Sequence, residues 1–389
     1  MAVAVSPLLY LDACAATPPA AAVLQAMAEH QASAWANPSS LHAAGLVAAE
    51  LLERSRQELA ALLGWENAQV VFTSGGTEAN NLALFGVCRA LEPGRLLITG
   101  IEHPAVSAAA IQLGREGWQL QTIAVDHQGL VDLEALEQWL QPPTRLVSIG
   151  WANSEVGTVQ PIEAIAKLCR GAGVLLHSDA VQAVGQIPLS LAQTQPDLLS
   201  LSAHKFQGPR GIGALLLKPG LALLPPSAGG GQEGGLRAGT EPVVLAAGLV
   251  VALALRHQQQ PALAALMASQ RNQLRHRLSQ VPGLQFTGAD QLRLPHHLSL
   301  LLQTPGGRPL AGRAAVRALG RRGVAVSSGS ACSSGLDAPS PTLLAMGYSQ
   351  AQARAGLRLS LGPWISENEL EPLPGLLESV LIELAAEAP

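Results

Sequence analysis

Residues 197–205 read Asp-Leu-Leu-Ser-Leu-Ser-Ala-His-Lys, an apolar run of the strand type that ends in a polar tetrapeptide. A Gly-rich segment, residues 208–213, follows it. A lysine placed where a buried strand opens into a polar pocket has its ammonium form destabilised, which frees an amine able to form a Schiff base with an aldehyde. The alternative is an ordinary surface lysine after a strand, and Lys205 by itself does not exclude it.

A carboxylate ends an earlier strand pattern. Residues 173–179 read Gly-Val-Leu-Leu-His-Ser-Asp. Because ligands of open α/β sheets bind outside the carboxyl ends of the strands, we expect Asp179 and Lys205 to converge at one sheet edge. A carboxylate there keeps a pyridine nitrogen protonated and makes the ring an electron sink. Together the two residues point to pyridoxal phosphate.

Three segments resemble those of a known family. They are residues 202–213 (Ser-Ala-His-Lys-Phe-Gln-Gly-Pro-Arg-Gly-Ile-Gly), 177–182 (His-Ser-Asp-Ala-Val-Gln) and 327–332 (Ser-Ser-Gly-Ser-Ala-Cys). They resemble the NifS-type cysteine desulfurases, which are class V aminotransferases of the fold-type I pyridoxal phosphate enzymes. The resemblance runs from Tyr10 to Gly362. It implies an α/β fold, in which a large domain with a mainly parallel seven-stranded sheet is joined to a smaller α+β domain.

The periodicity of the sequence agrees with this organisation. Short apolar runs without alternation suit strands covered on both faces, and the large-domain candidates are residues 70–73, 95–99, 121–125, 145–149, 174–177, 198–201 and 214–217. A helical region from Val243 to about Val281, interrupted near Pro261, leads to a second block. That block has strand candidates at 298–302, 324–326 and 357–360 and helices at 311–322 and 367–385. We predict a large cofactor-binding domain over 16–258 and a small domain formed by 1–15 and 259–389.

Composition excludes several classes of protein. A chain of 389 residues with 48% hydrophobic content can bury a large core. The 24 basic and 28 acidic residues include no basic run suited to a phosphate backbone, so we expect no nucleic-acid partner. The N-terminal residues have no signal-peptide pattern, and the apolar run Val243–Leu255 is too short to span a bilayer. We therefore expect no membrane association and a cytoplasmic location.

The four cysteines fit a reducing compartment, because they are too few and too scattered for a disulfide framework or a metal site. Cys88 and Cys169 lie in helical patterns and are predicted to be small buried hydrophobic residues. Cys14 is assigned a structural role. We predict no metal ligands.

A phosphate site is predicted where residues 73–80, Thr-Ser-Gly-Gly-Thr-Glu-Ala-Asn, turn from a strand into a helix. Glycines allow close backbone approach, and the free amides of the helix start attract an anion. By itself the turn is weak evidence, since Thr77 capping the helix is the commoner explanation. The resemblance gives Thr77 both roles and assigns cofactor binding also to Gly76, Ser202, His204 and Thr240. It implies that Thr240 is lent across a dimer interface, so a homodimer is expected.

Two further residues are assigned to the cofactor by the resemblance. His103 lies just before a helix and would otherwise be a satisfied loop residue. The resemblance places its ring on the cofactor face, positioned for stacking and proton transfer. Gln182 would hydrogen-bond the ring hydroxyl, and its alternative is a helix-surface amide.

Two residues are assigned to the substrate. Arg358 lies on an apolar strand, where a lone arginine is costly unless it meets an anion. A guanidinium can hold the α-carboxylate of an amino acid with two parallel hydrogen bonds, and the alternative is a snorkelling arginine at a strand end. Ser154 stands where many relatives have a second asparagine, so its contact is less well supported by the resemblance.

Cys332 is the residue that distinguishes desulfuration from the other reactions that pyridoxal phosphate supports. It lies in a loop of small residues, and a loop cysteine in isolation is more often incidental. A thiolate is both a nucleophile and a sulfur acceptor, and the resemblance makes this the cysteine that carries a persulfide to separate acceptor proteins.

The predicted function is pyridoxal phosphate-dependent conversion of L-cysteine to L-alanine, with Lys205, His103 and Cys332 as catalytic residues. The persulfide on Cys332 would serve sulfur acceptors such as an iron-sulfur scaffold. The alternatives are a selenocysteine lyase or a cysteine lyase releasing sulfide, then an aminotransferase, and from another class a non-catalytic scaffold or partner-binding regulator. The presence of Lys205, Asp179 and His103 together argues against the scaffold.

Overall fold

A seven-stranded sheet lies at the centre of the computed structural model, which describes residues 9–189, 191–329 and 338–387. In chain order the strands of the described residues are β1 (Leu9–Tyr10), β2 (Gln69–Thr73), β3 (Arg95–Thr99), β4 (Gln119–Ile123), β5 (Thr144–Ser148), β6 (Leu175–Asp179), β7 (Leu198–Ser202), β8 (Gly213–Leu217), β9 (Leu284–Phe286), β10 (His297–Leu302), β11 (Val324–Ala325) and β12 (Gly356–Ser360).

The helices alternate with these strands. They are α1 (Ala21–Ser33), α2 (Ala43–Leu62), α3 (Gly76–Ala90), α4 (Pro104–Arg115), α5 (Leu133–Trp139), α6 (Ile162–Ala172), α7 (Leu191–Thr194), α8 (Val243–Leu278), α9 (Gly312–Arg321), α10 (Pro341–Ala345), α11 (Gln350–Arg354), α12 (Glu367–Leu370) and α13 (Leu373–Glu387). Short 3₁₀ turns occupy Ala203–Lys205 and Gln232–Gly235.

The strand order of the large sheet is β2-β8-β7-β6-β5-β3-β4. Strand β8 is antiparallel to both of its neighbours, and the other pairs are parallel. All five residues of β7 are buried, as is typical of a strand with helices on both faces of its sheet. The predicted seven-stranded, mainly parallel sheet is confirmed.

The C-terminal block has its own sheet, with antiparallel strand order β12-β10-β9, and a short parallel pair of β1 with β11. Leu11, which follows β1, packs in the hydrophobic cluster of this block. The N-terminal segment therefore crosses from the C-terminal block to the large sheet.

Several predicted elements differ from the structure, and the single helix predicted over 367–385 is divided into α12 and α13. Strand β4 begins two residues earlier than predicted, because Gln119-Leu120 pairs with Arg95-Leu96 of β3. The expected break near Pro261 is wrong, since α8 continues through that residue. A proline removes one helical hydrogen bond, and α8 accommodates this loss over 36 residues while packing along α1 and α2.

None of the helices within the described residues has the length and apolar content needed to cross a bilayer.

Candidate active site

A cavity of about 430 Å³ opens beside the carboxyl ends of the parallel strands. The segments that follow β3, β5, β6 and β7 line it, together with residues of the N-terminal segment and of the C-terminal block. This is the position at which open α/β sheets bind ligands. The cavity brings together Lys205, Asp179, His103, Thr77, Ser202, His204, Gln182, Ser154, Arg358 and Gly76.

Lys205 reaches the cavity from the 3₁₀ turn after β7. Its Nζ donates to the carbonyl oxygens of Cys14 (2.6 Å) and Ala15 (2.9 Å). Lys205 is therefore held at a defined point of the cavity by the backbone of the N-terminal segment.

Asp179 ends β6, whose neighbour β7 carries the chain on to Lys205. One carboxylate oxygen accepts the N–H of Val181 at 3.0 Å, and the other accepts Nδ2 of Asn80 at 2.6 Å. The Oδ1 atom of Asn80 is buried and has no hydrogen-bond partner among the described residues. Asn80 fixes the Asp179 carboxylate. The sequence did not predict this role, although Asn80 belongs to the phosphate motif.

The start of α3 forms one wall of the cavity. A Cβ atom on Gly76 would lie 2.6 Å from Cγ2 of Val181, so this close approach requires glycine. Thr77 lies in the first turn of α3, which begins after Gly75 without a side-chain cap. The predicted capping role of Thr77 is wrong, because the helix begins two residues earlier than that role requires.

Ser202 and His204 also line the cavity, and Ser202 lies beside this helix start, since its Cβ would be 3.6 Å from a Cβ placed on Gly76. Their Oγ and Nδ1 atoms are 2.9 Å apart. Burial, with the nearby charges of Lys205 and Arg210, lowers the pKa of His204 to about 4. The imidazole is therefore neutral near pH 7, with the hydroxyl of Ser202 as its immediate partner.

His103 caps α4. Its Nδ1 accepts the N–H of Ala105 at 3.1 Å, so in the neutral ring the proton lies on Nε2. Its neighbour Glu102 also lines the cavity. The Glu102 carboxyl accepts the hydroxyl of Thr99 (2.6 Å) and the N–H of Gly150 (2.9 Å), yet burial above all raises its pKa to about 8.

Gln182 donates its Nε2 to the carbonyl oxygen of Cys14 at 3.0 Å. The same oxygen accepts Lys205. The Cys14 side chain is buried, with Sγ 3.4 Å from Nε2 of His296. Burial raises the pKa of this thiol, which fits the structural role predicted for it.

Arg358 is buried on β12, and it meets one anion within the protein itself. Its Nη2 donates to Oδ1 of Asp12 at 2.7 Å, and its Nη1 donates to the carbonyl oxygen of Ser154 at 3.1 Å. The Nε atom has no partner among the described residues. Asp12 reaches Nη2 because the residues after β1 lie beside β12, a proximity that the sequence does not reveal.

The Gly-rich segment around residues 229–239 lies apart from this cavity, and Thr240 is exposed and does not line it. Glu233 anchors the segment. Its carboxylate accepts Nη1 and Nη2 of Arg56 (2.7 and 3.2 Å) and the N–H of Phe72 (2.9 Å). Cys332 lies outside the described residues.

Comparisons with known proteins agree with this geometry. The sequence profile of the Aminotransferase class-V family matches residues 9–373. The chain is 38% identical to a cysteine desulfurase of Klebsiella pneumoniae over 98% of this chain and 94% of that protein. It is 36% identical to the cysteine desulfurase IscS of Histophilus somni over 97% of this chain and 93% of that protein.

Solved structures give the same result. A NifS-like protein superposes with a TM-score of 0.89 at 32% identity, covering 97% of this chain and all (100%) of that one. SspA in complex with cysteine superposes with a TM-score of 0.80 at 32% identity, covering 92% of this chain and 100% of that one. The chain therefore belongs to the class V aminotransferase family and, within it, to the NifS-like cysteine desulfurases.

Proposed function

We propose that this chain binds pyridoxal phosphate at Lys205 and converts L-cysteine to L-alanine, with the sulfur captured on Cys332 as a persulfide. The observation that carries the proposal is the shared cavity of Lys205 and Asp179, at the ends of neighbouring strands. An amine and a carboxylate in one cavity match the aldehyde and the pyridine nitrogen of this cofactor.

The residues present fit the cofactor. The start of α3 offers amide groups and the Thr77 hydroxyl to a phosphate, and the Ser202 hydroxyl lies beside it with the neutral ring of His204 as its partner. The buried Asn80 Oδ1, without a partner among the described residues, indicates room for a further hydrogen-bond donor beside Asp179. Hydrogen-bond donors at one end and a carboxylate at the other suit a phosphorylated pyridine.

When bound, pyridoxal phosphate supplies an electron sink for the α-carbon of the amino acid. Asp179 would hold the pyridine nitrogen in its protonated form, and Asn80 would keep the carboxylate in place. Lys205 would provide the amine for attachment and afterwards carry protons at the substrate carbon. His103, whose Nε2 bears the proton in the neutral ring, would stack on the cofactor and exchange a proton with the substrate. Gln182 would bind the ring hydroxyl, and Arg358 with Ser154 would bind the α-carboxylate.

The sulfur step needs a thiolate. The Cys332 thiolate would attack the substrate sulfur, the carbon–sulfur bond would break, and its electron pair would remain on the carbon that becomes the methyl group of alanine. L-Cysteine and the Cys332 thiol thus give L-alanine and a Cys332 persulfide. A solved relative in complex with cysteine supports this substrate.

The proposal includes a homodimer. Thr240 is exposed on a segment anchored by Glu233, which suits a residue that reaches the cofactor phosphate of a second copy. The persulfide would pass to a sulfur-acceptor protein such as an iron-sulfur scaffold. A cytoplasmic location is part of the proposal, since a reducing compartment keeps the Cys332 thiol free of disulfides.

We also propose the division into a large domain, 16–258, and a small domain, 1–15 with 259–389. Two hydrophobic clusters support it. Leu11 packs in the cluster of the C-terminal block. The first half of α8 contributes Leu249 and Leu253 to the cluster of the large sheet. Its second half contributes Leu274 and Leu278 to the cluster of the C-terminal block.

Replacement of the proposed sulfur acceptor tests the reaction. The Cys332→Ala variant is expected to keep the cofactor absorbance and to bind L-cysteine, but to lose alanine production and persulfide labelling together, by orders of magnitude. Cys88→Ala is the control, since burial raises the pKa of that thiol to about 12 and keeps it protonated. Alanine production by Cys332→Ala at the parent rate would contradict the proposal and favour a lyase.

A further inference from the structure

A third carboxyl group, besides those of Asp179 and Glu102, lines the cavity. Glu155 is only 3% exposed and lines the cavity. Both of its carboxyl oxygens are buried and have no partner with hydrogen-bond geometry among the described residues, although the hydroxyls of Ser340 and Thr342 lie close enough to influence the carboxyl group. An unsatisfied buried polar group costs about 1–3 kcal/mol, so two such atoms facing a ligand cavity indicate that a ligand completes them.

The backbone holds Glu155 firmly in this position. Asn153 Oδ1 accepts the N–H groups of Glu155 (2.8 Å) and Val156 (2.9 Å), which forms a tight turn after β5. A Cβ on Gly329 would lie 3.4 Å from Oε1 of Glu155. The carboxyl group is therefore confined between this turn and the chain near Gly329.

The charges around Arg358 show what the ligand requires. The one positive charge of its guanidinium already faces the carboxylate of Asp12 at 2.7 Å. An amino-acid substrate brings a second carboxylate to the same guanidinium. An ionised Glu155 would add a third negative charge, whereas a protonated Glu155 would add a hydrogen-bond donor and no charge. The second arrangement costs less free energy in a buried site, because it adds no further negative charge.

We propose that Glu155, in its protonated form, donates a hydrogen bond to the α-carboxylate of the substrate beside Arg358 and so selects amino acids over simple amines. The inference rests on the proposed function, because it takes the amino-acid carboxylate to lie at Arg358. It assigns a substrate-binding role to a residue next to Ser154, whose own contact with Arg358 is made by its backbone carbonyl.

The ionisation of Glu155 agrees with this role. Burial raises its pKa, and the hydroxyls of Ser340 and Thr342 and the charge of Arg358 only partly offset the effect. Asp12 and His297 also belong to these surroundings, the first through Arg358 and the second through the Ser154 carbonyl oxygen. Substrate affinity is therefore expected to fall as the pH rises through the raised pKa, because the donor becomes a repelling carboxylate.

A comparison of two ligands distinguishes loss of the carboxylate contact from a general change in the packing of the cavity. Calorimetric titration of the cofactor-loaded protein would compare L-alanine with ethylamine, which lacks the carboxylate. Glu155→Ala should weaken L-alanine binding by roughly 10- to 150-fold, the worth of a hydrogen bond to a charged group, and leave ethylamine binding unchanged. Glu163→Ala, an exposed change on α6, is the control. Equal loss for both ligands, or no loss for L-alanine, would overturn the inference.

The Glu155→Gln variant tests the protonation state. Glutamine keeps a donor but cannot ionise, so L-alanine binding near neutral pH should stay within about threefold of the parent. The alkaline weakening of the parent should shrink in this variant, while effects of Lys205, Glu102 and the ligand amine are common to both proteins. Identical pH profiles would overturn the inference. A parent protein that bound no cofactor at Lys205 would instead contradict the proposed function.

Discussion

Burial controls the ionisation of individual carboxyl groups around the cavity. Glu102 accepts hydrogen bonds from a hydroxyl and a backbone amide, which favour its charged form, but burial and the charge of Asp179 prevail. The folded protein holds this proton up to about pH 8, whereas the ordinary pKa is 4.5. Between those values the folded state binds more protons than the unfolded chain, so this residue lowers stability as the pH rises.

Glu102→Gln should remove that pH dependence. Relative to the parent, the variant is expected to gain stability, that is, to show a larger free energy of unfolding, as the pH rises from about 5 to about 8, because glutamine has no proton to lose. Urea denaturation at three pH values in this window would measure it. Glu163→Gln, an exposed change, should follow the parent throughout. A constant difference between Glu102→Gln and the parent would contradict the assignment.

At the scale of elements, strand ends place the site, and the sequence predicted this part well. Lys205 and Asp179 follow apolar strands whose period and length are plain in the sequence, and both reach the cavity. Asn80, Glu102 and Asp12 were missed, since their roles depend on contacts between distant elements. The partner of Arg358 could not be predicted, because it comes from a residue 346 positions away in the chain.

The anchoring of the Gly-rich segment by Arg56 and Glu233 gives an element-scale prediction. Only 1% of the Glu233 side chain is exposed, so Arg56→Met would leave an unpaired buried carboxylate. The expected loss is about 3 kcal/mol in the free energy of unfolding, measured by chemical denaturation. Arg54→Met, which breaks the exposed pair of Arg54 with Glu58, should cost less than about 1 kcal/mol. Equal losses in the two variants would mean that the buried pair does not anchor the segment.

At the scale of the whole molecule, the N-terminal segment joins the two parts of the chain at the cavity. The Cys14 carbonyl accepts Lys205 and Gln182 from the large sheet, while its N–H donates to Ser360 of β12. Asp12 reaches Arg358 from the same segment. The cavity is therefore built by both parts, and relative movement of either part would disturb Lys205 and Arg358 together.

The proposed homodimer makes a prediction about mixed proteins. Lys205→Ala removes the attachment lysine, and Thr240→Ala removes the residue proposed to be lent to the partner, so each variant alone should have low activity. Hybrid dimers should regain one intact site, which combines Lys205 of one subunit with Thr240 of the other. For subunits that mix at random, roughly a quarter of all sites should recover. Alanine formation after joint refolding would measure this, and no gain over the separate variants would contradict the shared site.

The most direct measurement of the central claim is the position of the cofactor adduct after borohydride reduction. The chain has only three lysines, at 167, 205 and 218. Lys167 is exposed on α6 and Lys218 forms an ion pair with Asp197, so Lys167→Ala and Lys218→Ala serve as matched controls. Mass spectrometry of the digested protein should find the pyridoxyl group on Lys205 in the parent and in both controls, and should find none in Lys205→Ala. An adduct on another lysine, or full labelling of Lys205→Ala, would contradict the account.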